Sequence, residues 1–200
     1  MGLKIKDRAK PKLPPVEPGV YMAVCLGEQY SEKFKKYSNE VQFVWELAGE
    51  TVEVDGEQKP RQLSRTFTVA SSKKSNLRGF LSGWNGVQYS DEQFQELDLF
   101  SQAGRACQLN VVLNDTGEYA NVDSVIPLPK GIPAPKTDTP LVLWNMDEWE
   151  DSAFDALPEW VQDKIKKSTQ YQKMHAPEDE VDFKGAPVAI QDTSEGECPI

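Results

Sequence analysis

Residues 41–47 alternate strictly: Val41, Phe43, Trp45 and Leu47 point one way, Gln42, Val44 and Glu46 the other. A period of two with two aromatics on one side describes a half-buried strand, and wound into a helix the same residues would scatter around the cylinder. Residues 61–69 repeat the period, with Leu63 and Phe67 sharing a side with Arg61 and Arg65. Residues 20–27 precede them as an apolar strand pattern, and Asp55-Gly56 marks a turn between the second and third strands.

The period then changes. Leu77, Phe80, Leu81 and Trp84 recur at helical spacing, and Ser90 followed by Asp91 and Glu92 reads as the capped start of a second short helix, with Gly104 as a stop. Alternation returns in 105–113 and 119–126, joined by the hairpin turn Asn114-Asp115-Thr116-Gly117. Five strands with a helix between the third and fourth is the element order of a five-stranded OB-like Greek-key barrel, so the chain is read as mainly β, a barrel with helices. The boundaries are a basic Pro-rich arm over 1–18, the barrel over 19–136, an extension over 137–173 whose helix (154–171) packs on the barrel, and a disordered acidic tail over 174–200. Residues 141–144 read as a short added strand.

Charge separates along the chain. The formal net charge is -10, yet residues 1–136 hold 17 Lys and Arg against 17 Asp and Glu, and the whole deficit lies beyond them. The first 12 residues carry Lys4, Lys6, Arg8, Lys10 and Lys12 against Asp7. A neutral body between a basic arm and an acidic tail is compatible with a polyanionic partner. No apolar run is long enough for a membrane span, and the basic start lacks the apolar stretch of a signal peptide, so a cytoplasmic place in a bacterial cell is expected. Cys25, Cys107 and Cys198 form no CxxC pair and read as reduced thiols.

Nothing in the sequence has the spacing of a catalytic or nucleotide-binding cassette, and the chain is read as non-enzymatic, without cofactor or metal. The acidic group Asp147, Glu148, Glu150 and Asp151 reads as a solvated loop. Binding single-stranded nucleic acid instead needs cations for phosphates and aromatic faces for bases. Three places offer cations: Lys33, Lys35 and Lys36, interleaved with Phe34 and Tyr37 in the first inter-strand loop; Arg61 and Arg65 on the third strand; and Lys73, Lys74 and Arg78 at the start of the helix. Trp84 and Tyr119 are further aromatic candidates, Trp84 leaning to a cap on the barrel. Arg61 and Arg65 have core parity, so a twist or bulge is required to expose them.

The chain ends in Asp192, Thr193, Ser194, Glu195, Gly196, Glu197, Cys198, Pro199 and Ile200. This resembles the tail of bacterial single-stranded-DNA-binding proteins, whose acidic tip ends Asp-Ile-Pro-Phe and recruits replication and repair partners. Cys198 and Ile200 stand where that tip has Ile and Phe, and the acidic run is thinner, so the partner stays open. Asp192, Glu195, Glu197, Pro199 and Ile200 would form the docking tip. Within the body, Pro18-Gly19-Val20-Tyr21, residues 43–47, Ser75-Asn76-Leu77-Arg78, Trp84-Asn85-Gly86 and residues 157–160 resemble landmarks of a family of small proteins from phages and mobile elements. That resemblance, spanning about residues 18–171, implies an OB-fold and single-stranded DNA binding in replication or recombination, and homo-oligomers are known among such proteins. The alternative on charge alone is an inhibitor whose acidic tail mimics DNA; an RNA-binding OB protein is a second.

Overall fold

Every alternating segment is a strand. The computed structural model describes residues 13–32, 39–157 and 159–175, and shows β1 (Gly19–Glu32), β2 (Asn39–Val54), β3 (Glu57–Thr68), β4 (Ala106–Leu113) and β5 (Ala120–Pro127) in one antiparallel sheet of order β3-β2-β1-β4-β5. The sheet curls until its two edge strands, β3 and β5, come into contact. Asp55 and Gly56 take φ of 54° and 83°, the paired positive values of the two-residue turn whose twist matches a hairpin. At the other hairpin, Asn114 Oδ1 accepts from the amides of Glu118 and Tyr119.

β1 and β2 are longer than the sequence pattern indicated. β1 runs on to Glu32 and β2 on to Val54, because each carries an irregularity, between Cys25 and Gly27 and between Glu46 and Thr51, that breaks the period without ending the strand. β1 pairs with β4 only over Gly19–Val24. Beyond that point the same edge is taken by the chain that follows β5: Val142 donates its amide to the Leu26 carbonyl, and the two-residue β6 (Trp144–Asn145) pairs in parallel with Gln29 and Tyr30.

α1 (Asn76–Asn85) follows β3 and packs against β5 and β3, ending in Gly86 with a left-handed φ of 65°. α2 (Asp91–Gln95) carries the full capping box at Ser90 and Gln93. The main core gathers the inward residues of the sheet and the apolar side of α1: Phe43 lies 5.8 Å from Trp45, 6.0 Å from Phe67 and 5.9 Å from Trp84, ring centre to ring centre. These edge-on and offset contacts add to area burial.

The extension differs from the single helix expected over 154–171. It holds α3 (Asp151–Asp155), α4 (Glu159–Lys166) and α5 (Thr169–Met174), the last begun by Ser168, whose hydroxyl accepts from the Tyr171 amide. A serine that caps one helix ends the register of the helix before it. Phe154, Leu157, Val161 and Ile165 close a second core with Trp144 and Met146, so these helices pack chiefly on one another and on β6. The Lys164–Glu40 ion pair, at 3.7 Å, ties this unit to β2. Among the described residues no helix is long and apolar enough to cross a membrane.

Candidate functional site

The outward residues of β2 and β3 face each other in register: Gln42 with Thr66, Val44 with Ser64, Glu46 with Gln62. Gln42 Nε2 donates to Ser64 Oγ at 3.1 Å. Over this face three open depressions run into one another. The first spreads from Val44, Gln62 and Ser64 towards the β2–β3 hairpin, where Val52, Val54, Lys59, Pro60 and Leu13 line it. The second shares Val44 and Gln62 and runs under the chain at Thr139, Pro140 and Val142. The third shares Ser64 and crosses Arg65 and Thr66 to Asn121, Val122 and Asp123 on β5. They meet at Val44, Gln62 and Ser64 to make one groove, uncharged where they join and bordered by Lys59, Arg61, Arg65 and Asp123.

The end under residues 139–142 is built by a close backbone approach. A Cβ on Gly27, whose φ is 156°, would fall 2.0 Å from the Val142 carbonyl oxygen, so only glycine lets the chain lie there. Thr139 Oγ1 donates to the Glu46 carboxylate and fixes the same segment from β2.

The third-strand arginines keep the core parity of Leu63 and Phe67, and no twist or bulge turns them outward. Arg65 Nη1 donates to the Val122 carbonyl at 2.7 Å and to the Asp123 carbonyl, and its guanidinium lies 4.8 Å from the centre of Phe67 and 5.2 Å from that of Phe80. Burial pushes the Arg65 pKa below its ordinary value, and the Asp123 carboxylate acts in the opposite direction. Arg61 donates to the Pro14 carbonyl and holds the incoming chain against the hairpin; burial lowers its pKa as well. These cations border the groove but are committed to backbone carbonyls.

The helix-start group is not brought to the groove. Arg78 is buried, donates to the Tyr89 carbonyl and to Asp91 Oδ1, and pairs with that carboxylate at 2.6 Å. Lys73 reaches the same carboxylate at 3.3 Å from an exposed position, and Lys74 is exposed beside it. Asp91 is held below the usual carboxylate range, first by the Arg78 hydrogen bond; desolvation opposes it, and Lys73 adds further lowering. Trp84 is 0% exposed and offers no face to a base; helical spacing turns it inward with Leu77 and Leu81 into the main core. Tyr119 is 56% exposed where the β4–β5 hairpin closes.

Lys33, Phe34, Lys35, Lys36 and Tyr37 lie outside the described residues, between Glu32 and Asn39, which pair with each other across β1 and β2. The tip residues Asp192, Glu195, Glu197, Pro199 and Ile200 also lie outside them. In the acidic loop, Asp147 accepts from Gln170 and Asp151 from the Trp149 indole. Among the described residues no group of three or more His, Cys, Asp or Glu is placed to hold a metal ion. Cys25 and Cys107 are fully buried, and burial pushes the Cys107 thiol up to about 12.

Sequence reasoning missed Val44, Gln62, Ser64 and Thr66 as groove residues, and Gly27 as the seat of the chain above it. The polar parity of β3 was the available signal for Gln62, Ser64 and Thr66; nothing local announces Gly27. No protein-family model and no curated protein matches this sequence.

Proposed function

We propose that this chain binds single-stranded DNA without strong sequence preference, in the replication or recombination of a phage or mobile element, using a five-stranded OB-like barrel. The observation that carries the reading is the groove over the outer face of β2 and β3, in a sheet of order β3-β2-β1-β4-β5 with its helix after the third strand. OB barrels bind oligonucleotides over the faces of strands 2 and 3, between the loops that join strands 1–2 and 4–5. Here the first of those loops carries Lys33, Phe34, Lys35, Lys36 and Tyr37, and Tyr119 closes the second.

In this reading Lys33, Lys35, Lys36 and the exposed Lys59 hold phosphates, while Phe34, Tyr37 and Tyr119 stack bases at about 1–3 kcal/mol each. Gln62 and Ser64 offer donors and acceptors that any base edge satisfies. Arg61 and Arg65 shape the groove from behind. Lys73, Lys74 and Arg78 stand apart from it and serve at most a strand that leaves it. The tip Asp192 to Ile200 recruits a replication or recombination protein and competes with DNA for the same cations, since both are polyanions. The protein performs no chemistry in this scheme and works in the bacterial cytoplasm.

The test places negative charge in the groove. Gln62→Glu with Ser64→Asp weakens binding of labelled oligo-dT at least tenfold at low salt, while Lys130→Glu, remote from the groove residues in sequence, changes it less than threefold. Equal binding by the groove variant and the wild type removes the groove from the reading. Competition between oligo-dT and oligo-U separates a DNA-binding from an RNA-binding OB protein. The charge segregation favours one other reading, an inhibitor that presents its acidic tail to a nucleic-acid enzyme, and absence of oligonucleotide binding leaves that reading ahead.

A further inference from the structure

The chain enters the barrel through a root that is fastened at three points. Val16 is buried in the main core. The Glu17 carbonyl accepts from the Tyr21 hydroxyl at 2.9 Å, and the Pro14 carbonyl accepts from Arg61 Nη2. Holding Pro14 is costly, because the Arg61 guanidinium is partly desolvated and its buried Nε has no hydrogen-bond partner among the described residues. The root also has a direction. Residues 14–17 line a depression that holds Glu17 and Glu50. One residue earlier, Leu13 lines the hairpin end of the groove instead, with Val52, Val54, Lys59 and Pro60. Arg61 borders both depressions. Followed towards its N-terminus, the chain therefore leaves a depression with carboxylates and arrives at the groove, whose hairpin end is lined by no carboxylate among the described residues.

Residues 1–12 lie outside the described residues and carry Lys4, Lys6, Arg8, Lys10 and Lys12 against Asp7, a side-chain net charge of +4. From Leu13 a segment of that length reaches at most about 40 Å. Cations tethered at the lip of the groove meet whatever lies in it as an intramolecular contact, at high effective concentration. The groove itself is short of uncommitted cations. Arg61 and Arg65 are spent on backbone carbonyls, and Lys59 already faces Glu57 at 3.7 Å. A polyanion lying over Gln62 and Ser64 finds its nearest supply of positive charge on the segment that Arg61 anchors there.

We infer that the cations of residues 4–12 hold the phosphates of single-stranded DNA lying in the groove, and that Arg61 positions this arm through the Pro14 carbonyl. The inference rests on the proposed binding of DNA in the groove. Anisotropy of labelled oligo-dT tests it, in the full chain and in the chain ending at residue 175. Changing Lys4, Lys6, Arg8, Lys10 and Lys12 to Gln weakens binding at least tenfold at low salt in both chains, with near-ultraviolet circular dichroism unchanged. The salt slope falls by at least two phosphates' worth, at about 0.7 each. Arg61→Gln weakens binding at least threefold where the arm is cationic and less than twofold where it is neutralised, because its own charge is spent on Pro14. An arm-neutral chain that keeps wild-type affinity and slope, yet still loses binding on Gln62→Glu with Ser64→Asp, overturns the inference and leaves the groove standing. A loss confined to the full chain also overturns it, since the arm then only neutralises the acidic tail. Equal losses from Arg61→Gln with and without the arm's charge overturn the positioning role. No binding by the unaltered chains overturns both the arm and the groove.

Discussion

Arg65 on β3 donates from Nη1 to the carbonyl of Val122 on β5, 2.7 Å away, and so ties together the two edge strands of the curled sheet with a side chain. β3 and β5 share no ladder, and the same guanidinium reaches the Asp123 carbonyl and lies over Phe67 and Phe80. Arg65→Ala leaves both carbonyls without that donor, and hydrogen bonds from a charged group contribute about 1.5–3 kcal/mol each in favourable settings. The expected loss is about 2 kcal/mol, read as a lower urea midpoint at unchanged slope. Arg65→Lys recovers little of it, because an ammonium lacks the planar fork that spans two carbonyls and lies flat on a ring.

The Arg78–Asp91 pair makes stability sensitive to acid in a defined direction. The folded pKa of Asp91 is lowered from 3.8, so its contribution is fully present above that value and is lost as pH falls through the lowered one. Glu92, lowered by its own backbone amide and by Ser90, acts in the same sense. Asp91→Asn is expected to flatten the fall of the melting temperature below pH 3.8. Thermal melts from neutral pH downward check this, and an equally steep fall in the variant contradicts it.

Gly27 is the seat of the chain that walls one end of the groove. In Gly27→Ala the new methyl meets the Val142 carbonyl, so the segment around Thr139–Val142 must move. The amide of Val142, bonded to the Leu26 carbonyl, then loses protection from hydrogen exchange by at least tenfold, while amides paired between β4 and β5 keep theirs. The overall cost is about 1–3 kcal/mol, as for an added methyl where there is no room.

Cys25 and Cys107 are expected to be inert in the native state. Both are fully buried, and a thiol whose pKa has risen to about 12 holds almost no thiolate at neutral pH. In a Cys198→Ser background, a thiol reagent at pH 8 labels neither residue until denaturant is added. Rapid native labelling of Cys107 would show that the sheet opens there.

The strands were legible because alternation is a local signal: Phe43, Trp45, Phe67 and Leu109 all face the core as their parity requires. So was the capping box at Ser90, which needs only neighbours three residues apart. The interruptions were not, because a bulge such as that near Leu26 breaks the period while the ladder continues. The roles of the arginines were half legible. The parity of Arg65 with Leu63 and Phe67 already said that it faces inward, but its partners are carbonyls 57 and 58 residues away, which no spacing rule contains. Trp84 stood between a stacking face and a cap because of its glycine and asparagine neighbours, while its spacing from Leu77 and Leu81 pointed to the core where it lies. The groove depends on residues 139–142 lying over β1 and β2, a contact fixed by tertiary packing alone.

The central claim is that this chain grips single-stranded DNA through phosphates and stacked bases. Fluorescence anisotropy of labelled oligo-dT tests it, with the full chain and with a chain ending at residue 175, over a series of salt concentrations. The account predicts binding by both, tighter without the acidic tail, with the logarithm of affinity falling linearly against the logarithm of salt by about 0.7 per neutralised phosphate. No binding at low salt by either chain would contradict it.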